Sequence, residues 1–226
     1  MMGDPTTISR IVELLHLPAQ HAPEAMREVY AEISTSCGYD NFIRQPAGAR
    51  LESAEGEGGA ASRLTFMRDR IVFQEERSRV GLDHFIRKVE AALKVVVPKL
   101  GIPLIVARNI TQRVIVSTPG TETAASYLAR TVFRITPDDL SPFERPSQVV
   151  GFRLDFPGAT PQAGSHRVRI ETYLRDQGAL YVEDIATFKV PVQSLDQNQI
   201  TNELQEVDTF VGDQVTNFLN GLDRDR

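Results

Sequence analysis

The chain contains no tryptophan, a single cysteine and only four lysines among its 25 basic residues. Cys37 by itself cannot close an internal disulfide, which excludes a small secreted scaffold stapled by bridges. No apolar run approaches the roughly 18 residues of a membrane span. The opening Met1-Met2-Gly3-Asp4-Pro5 has neither the basic region nor the apolar stretch of a secretory leader, so a cytoplasmic protein with no membrane partner is expected. Excess positive charge is also missing. With 25 Lys+Arg against 30 Asp+Glu the formal charge is −5, which does not favour nonspecific binding of nucleic acid. The skew of the basic residues toward arginine either places planar, permanently charged groups at paired sites or reflects codon usage. No Walker loop, dinucleotide glycine fingerprint or Gly-x-Ser-x-Gly elbow is present. His16, His21, His84 and His166 show no metal-ligand spacing, and none lies beside Cys37 in sequence. No metal, cofactor or catalytic constellation is therefore expected.

What is present is an ordinary folding composition, 41% hydrophobic and 24% charged over 226 residues, which excludes disorder, collagen and coiled coil. Ile200, Leu204, Val207, Val211, Val215 and Phe218 fall at helical spacing and predict a closing amphipathic helix. Leu82 to Val97 carries a second apolar stripe and ends at the stop signals Pro98 and Gly101. A third helix opens at Pro23 with Met26, Val29, Tyr30 and Ile33 on one face, and a shorter one is expected over residues 123–132. Period-two alternation predicts strands at 8–17, 50–53, 64–67, 71–73, 104–117, 149–156, 168–174 and 179–192. Residues 54–60 and 157–165 read as loops.

The two halves repeat one another. Phe42-Ile43-Arg44-Gln45-Pro46 precedes Gly48-Ala49-Arg50-Leu51-Glu52, and Phe143-Glu144-Arg145-Pro146 precedes Gly151-Phe152-Arg153-Leu154-Asp155. Thr65 to Asp69 matches Thr172 to Asp176, the paired acids Glu75-Glu76 match Glu183-Asp184, and Leu82-Asp83 matches Leu195-Asp196. The expected fold is α+β. Two tandem strand-helix-three-strand-helix repeats, residues 1–101 and 102–226 with a boundary near Lys99 to Pro103, would form one mostly antiparallel sheet with long helices on one face. One such half is only marginally stable alone, so the two should fuse their sheets or share a core.

In element order the chain resembles the duplicated, saddle-shaped fold of the TATA-binding protein. That resemblance implies the architecture and no DNA-binding residue, because the saddle of that family is basic and carries apolar wedges. The segment Ile105-Val106-Ala107-Arg108-Asn109-Ile110 and the closing helix are also similar to a bacterial family of two-repeat proteins with no assigned function, which implies a bacterial origin.

Two charges interrupt faces that alternation assigns to the core. Arg108, with Gln112, breaks the set Leu104, Val106, Ile110, Val114 and Val116, and Asp184 breaks the set from Leu180 to Val192. A buried guanidinium and carboxylate need each other or a polar ligand. Arg108 and Asp184 are thus the candidate ligand-binding residues; the alternatives are a β-bulge near Asp184 that shifts the phase, or a strand that runs out beyond the helix layer. Arg68-Asp69 and Arg175-Asp176 read as exposed turns, and Arg44 and Arg145 as residues that bond carbonyls at a helix-to-strand corner. The functional expectation is a non-catalytic interaction or assembly protein whose open sheet face binds a protein partner or a second copy. The alternative is a small-molecule-binding protein with an apolar cavity between sheet and helices.

Overall fold

The computed structural model describes residues 2–46, 48–77, 80–145, 150–193 and 197–222. Pro146, Val149 and the Leu195-Asp196 helix entrance lie outside the described residues.

The chain opens with β1 (Thr6–His16) and α1 (Pro23–Cys37), whose stripe Met26, Val29, Ile33 and Cys37 is buried and which Gly38 ends at φ 67°. The strands β2 (Asn41–Gln45), β3 (Gly48–Glu52), β4 (Ala61–Phe66) and β5 (Arg70–Glu76) follow, then α2 (Leu82–Leu100). Pro98 does not stop α2. It lies in the last turn, where few backbone bonds remain to be lost, and Gly101 at φ 61° ends the helix.

The second half runs β6 (Leu104–Ser117), α3 (Ala124–Leu128) with a π turn at Ala129–Phe133, and the short α4 (Pro137–Leu140). Then come β7 (Gly151–Phe156), β8 (Ser165–Thr172), β9 (Ala179–Phe188), β10 (Val192–Gln193), α5 (Gln197–Thr209) and α6 (Thr216–Gly221). A π segment, Phe210–Val215, joins α5 to α6.

The strands form one antiparallel sheet in the order β2-β3-β4-β5-β1-β6-β9-β8-β7, with β10 continuing the β9 side of β6. The long strands β1 and β6 are central. Outward from each, the later strands of its own half follow in reverse chain order. The α+β class and the mostly antiparallel sheet are as the sequence implies. The first half, however, has four strands after its first helix rather than three, because Asn41–Gln45 pairs with β3. Residues 179–192 are two strands and not one. Pro191 has no N–H to donate, and the ladder breaks around it. β8 begins at Ser165 and ends at Thr172, leaving Leu174 in an exposed turn.

The helices cover one face of the sheet, and their stripes bury Val12, Leu14, Leu64, Phe73, Val114 and Val182 against it. The core falls into two clusters. The larger joins α1, α2 and the first part of α5 to β1, β3, β4 and β5, and also takes Ile105, Ile110, Ala186 and Phe188 from the second half. The smaller joins α3 and the 210–219 segment to the other ends of β6, β8 and β9. The division of the core therefore lies well inside the second half, away from Lys99 to Pro103.

Candidate functional site

A polar seam runs where the two clusters meet. On β6 the inward residues are Arg108, Ile110, Gln112 and Val114, and on β9 they are Ala186, Asp184 and Val182. The apolar members on either side belong to different clusters, so Gln112 and Asp184, neighbours in the ladder, form the dividing line.

Arg108 is fully buried between Leu14 of β1 and Phe188 of β9. Glu203 of α5 answers its charge through a two-pronged contact: Nε donates to Oε2 at 2.8 Å and Nη2 donates to Oε1. Nη1 donates to the Val190 carbonyl, in the break between β9 and β10. Its inward placement comes with a register shift. Between Leu15 and His16 of β1 the partner on β6 steps from Ala107 to Ile105. The bulge expected near Asp184 is not there, since β9 keeps an unbroken register with β6 and β8 across that residue; the shift on β6 instead makes Ile105, rather than Leu104 or Val106, the buried residue at that end.

Asp184 is fully buried as well. It does not meet Arg108. Its Oδ2 lies 2.8 Å from Nδ1 of His166, while Oδ1 has no partner among the described residues. The His166 ring stacks on Phe210 at a centroid distance of 4.0 Å, and its Nε2 lies 3.8 Å from Glu206. Burial pushes the Asp184 carboxyl above its ordinary value, and the histidine only partly offsets this. Gln112 donates to Asp208 at 3.0 Å, and Arg10 of β1 reaches the same carboxylate at 3.2 Å.

Three acids near the end of α5, Glu203, Glu206 and Asp208, therefore fasten that helix to β6, β8 and β1. The single polar pocket expected from Arg108 and Asp184 resolves into separate contacts within the protein. Sequence reasoning missed Glu203, His166 and Asp208. Glu203 left a signal, since it lies one position before Leu204 on the buried side of the stripe. The first half has an analogous latch: buried Glu75 accepts from Lys88 of α2 at 2.9 Å and from Ser62 at 2.7 Å. In each acid pair one member faces the helices and the other faces outward: Glu75 and Asp184 point inward, Glu76 and Glu183 outward.

The outward face carries cross-strand rows of mixed charge. One row reads Glu52, Arg63, Gln74, Ile11, Thr111, Ile185, Arg167 and Asp155 from β3 to β7, with the same acid-arginine order at both ends. Arg113 bridges Glu183 at 2.8 Å and Glu76 at 3.7 Å, Arg169 bridges Glu183 at 3.0 Å, and Arg70 contacts Glu13 at 3.5 Å. These arginines are committed to acids within the face, which leaves little free positive charge for phosphates.

Cys37 is buried, and burial pushes its thiol up, away from the reactive thiolate. Arg44 and Arg145 do not bond carbonyls at the corners; neither side chain has a hydrogen-bond partner among the described residues. The described residues contain no group of three or more His, Cys, Asp or Glu placed to hold a metal ion. Among them no helix is long and apolar enough to cross a membrane. The chain matches no protein-family model and no curated protein.

Proposed function

We propose that the protein is a non-catalytic assembly module built from two related halves, and that its open sheet face docks a second copy of the same chain. The carrying observation is the charge balance of that face. The molecule has a net charge of −5, yet its outward arginines alternate with and bridge acids. Two acidic molecules approach most easily through the surface that carries no excess negative charge. Half-buried Ile11, Val72, Ile115, Tyr181 and Ile185 add apolar area near the middle of the face. The helices lie on the other side and leave this face free.

The outward strand order from β1 and β6 supports the reading of two related halves. So do Gly48 and Gly151, matched in sequence and each facing a carbonyl of the next strand. Light scattering tests the assembly directly: a mass twice 25.2 kDa is expected, and Ile11→Glu should return it to a monomer that keeps the wild-type circular dichroism spectrum and a thermal midpoint independent of concentration. A monomer at high micromolar concentration, or a dimer indifferent to Ile11→Glu and Ile185→Glu together, overturns the proposal.

A further inference from the structure

Away from the seam and the open face, a cavity of about 450 Å³ lies where the β1–α1 connection meets two hairpins. Its polar lining is Gln20, His21, Arg44, Gln45 and Arg68, and among the described residues no acid is part of that lining. The framework is tied together. Ala19 N–H donates to the Arg68 carbonyl at 2.8 Å, His16 N–H donates to the Asp69 carbonyl at 2.9 Å, and Gln45 pairs with Gly48 across the tight β2–β3 turn.

Three observations on independent groups converge there. Arg44 and Arg68 extend from different hairpins, and neither guanidinium has an ion-pair or hydrogen-bond partner among the described residues. This sets them apart from the bridged arginines of the sheet. Behind them His21 and His16 meet edge to face at 5.5 Å; Nε2 of the 95% buried His16 has no hydrogen-bond partner among the described residues, and His21 has no side-chain partner there, only the Met67 backbone near its ring. Finally, α1 begins at this wall with Pro23, after Ala22, which supplies no side-chain cap to the first turn. Glu24, in that first turn, is exposed and does not line the cavity.

We propose that this cavity binds a small phosphate ester, its phosphate held between Arg44 and Arg68 and its organic part lying against Met26 and Pro46. Two guanidinium forks from different hairpins, an imidazole and uncapped amides offer more donors than a carboxylate can use, and they match the three oxygens and double charge of a phosphate monoester. The volume is that of a small-molecule site. Burial, followed by the neighbouring His16 ring, lowers the pKa of His21, while the Met67 backbone acts the other way. A bound phosphate opposes that depression and draws a proton onto the ring. The other charged groups facing this corner are Arg44, Arg68 and Asp69, the last held ionised chiefly by Arg70.

Calorimetry on the full chain with glycerol phosphate, inorganic phosphate and acetate tests the site. Glycerol phosphate should bind most tightly, with proton uptake and a shift of the His21 ring resonances but not those of His84. Arg44→Ala and Arg68→Ala should each weaken it roughly ten- to a hundredfold, while Arg153→Ala leaves it unchanged. Both cavity arginines are exposed, so these variants should keep the wild-type thermal midpoint. No binding at millimolar ester, binding unaffected by both substitutions, or acetate or inorganic phosphate binding as tightly as the ester overturns the proposal. The outcome is independent of whether the chain dimerises.

Discussion

A guanidinium with no exposed surface is costly unless its charge and its donors are answered together, and Arg108 is answered by one carboxylate on a helix 95 residues away. Removing only one partner leaves the other buried and uncompensated. Glu203→Ala should therefore lower unfolding stability by about 3–5 kcal/mol, whereas Arg108→Met with Glu203→Leu should restore most or all of it. Urea titrations of the single and double variants check this. Asp184 gives a pH prediction of definite sign. Its folded pKa is raised, so between the ordinary aspartate value and that raised value the folded state holds more proton than the unfolded state. Stability therefore falls as pH rises through this window. Asp184→Asn should flatten that part of the stability–pH curve, and an unchanged slope would remove Asp184 as its source. Alternation in the sequence made both Arg108 and Asp184 visible. It could not show that each has its own partner, because Glu203 and His166 reach them only through tertiary packing.

At the scale of elements, glycines with opposite surroundings give opposite predictions. A Cβ on Gly48 would sit 1.9 Å from the Phe66 carbonyl oxygen, and one on Gly151 would sit 2.3 Å from that of Ile170. Gly151→Ala must therefore push β7 from β8 and should lower the thermal midpoint. Gly212 lies in the π segment with open space around its Cβ position. Gly212→Ala should stabilise by about 0.5–1 kcal/mol, since a flexible residue in a helical segment is replaced by a good helix former. Differential scanning calorimetry of the two variants reads both signs. The same π segment explains where the helical periodicity slipped. The buried stripe continues as Val211, Val215 and Leu219, while Phe218 is 41% exposed. The wider turn changes the spacing, so the face set by Ile200 to Val207 is kept by residues four apart. The bulge in β6 has the same effect on a strand, moving burial from Leu104 and Val106 to Ile105. Regular elements were legible because their periods are fixed by backbone geometry. A single inserted residue changes the phase without leaving a mark in composition.

For the whole molecule, the larger core cluster matters most, because it crosses the middle of the chain. Ile105, Ile110, Ala186, Phe188, Ile200, Leu204 and Val207 complete a core whose remaining members come from the first half. Neither half can bury its apolar face alone, so urea unfolding should be a single transition with fluorescence and circular dichroism coinciding. Two separated transitions would make the halves independent domains. The open face belongs to this scale too, since its rows exist only when strands from both halves are side by side.

The sequence by itself determined the α+β class, most of the helices and strands, the internal matches and the two misplaced charges, because each follows from local period, turn chemistry or composition. Only the tertiary structure decided which strands neighbour one another, that Arg108 and Asp184 are satisfied separately, and that Arg44, Arg68, His16 and His21 gather at one corner. Those outcomes depend on residues far apart in the chain arriving at the same few ångströms, and no local pattern records such an arrival.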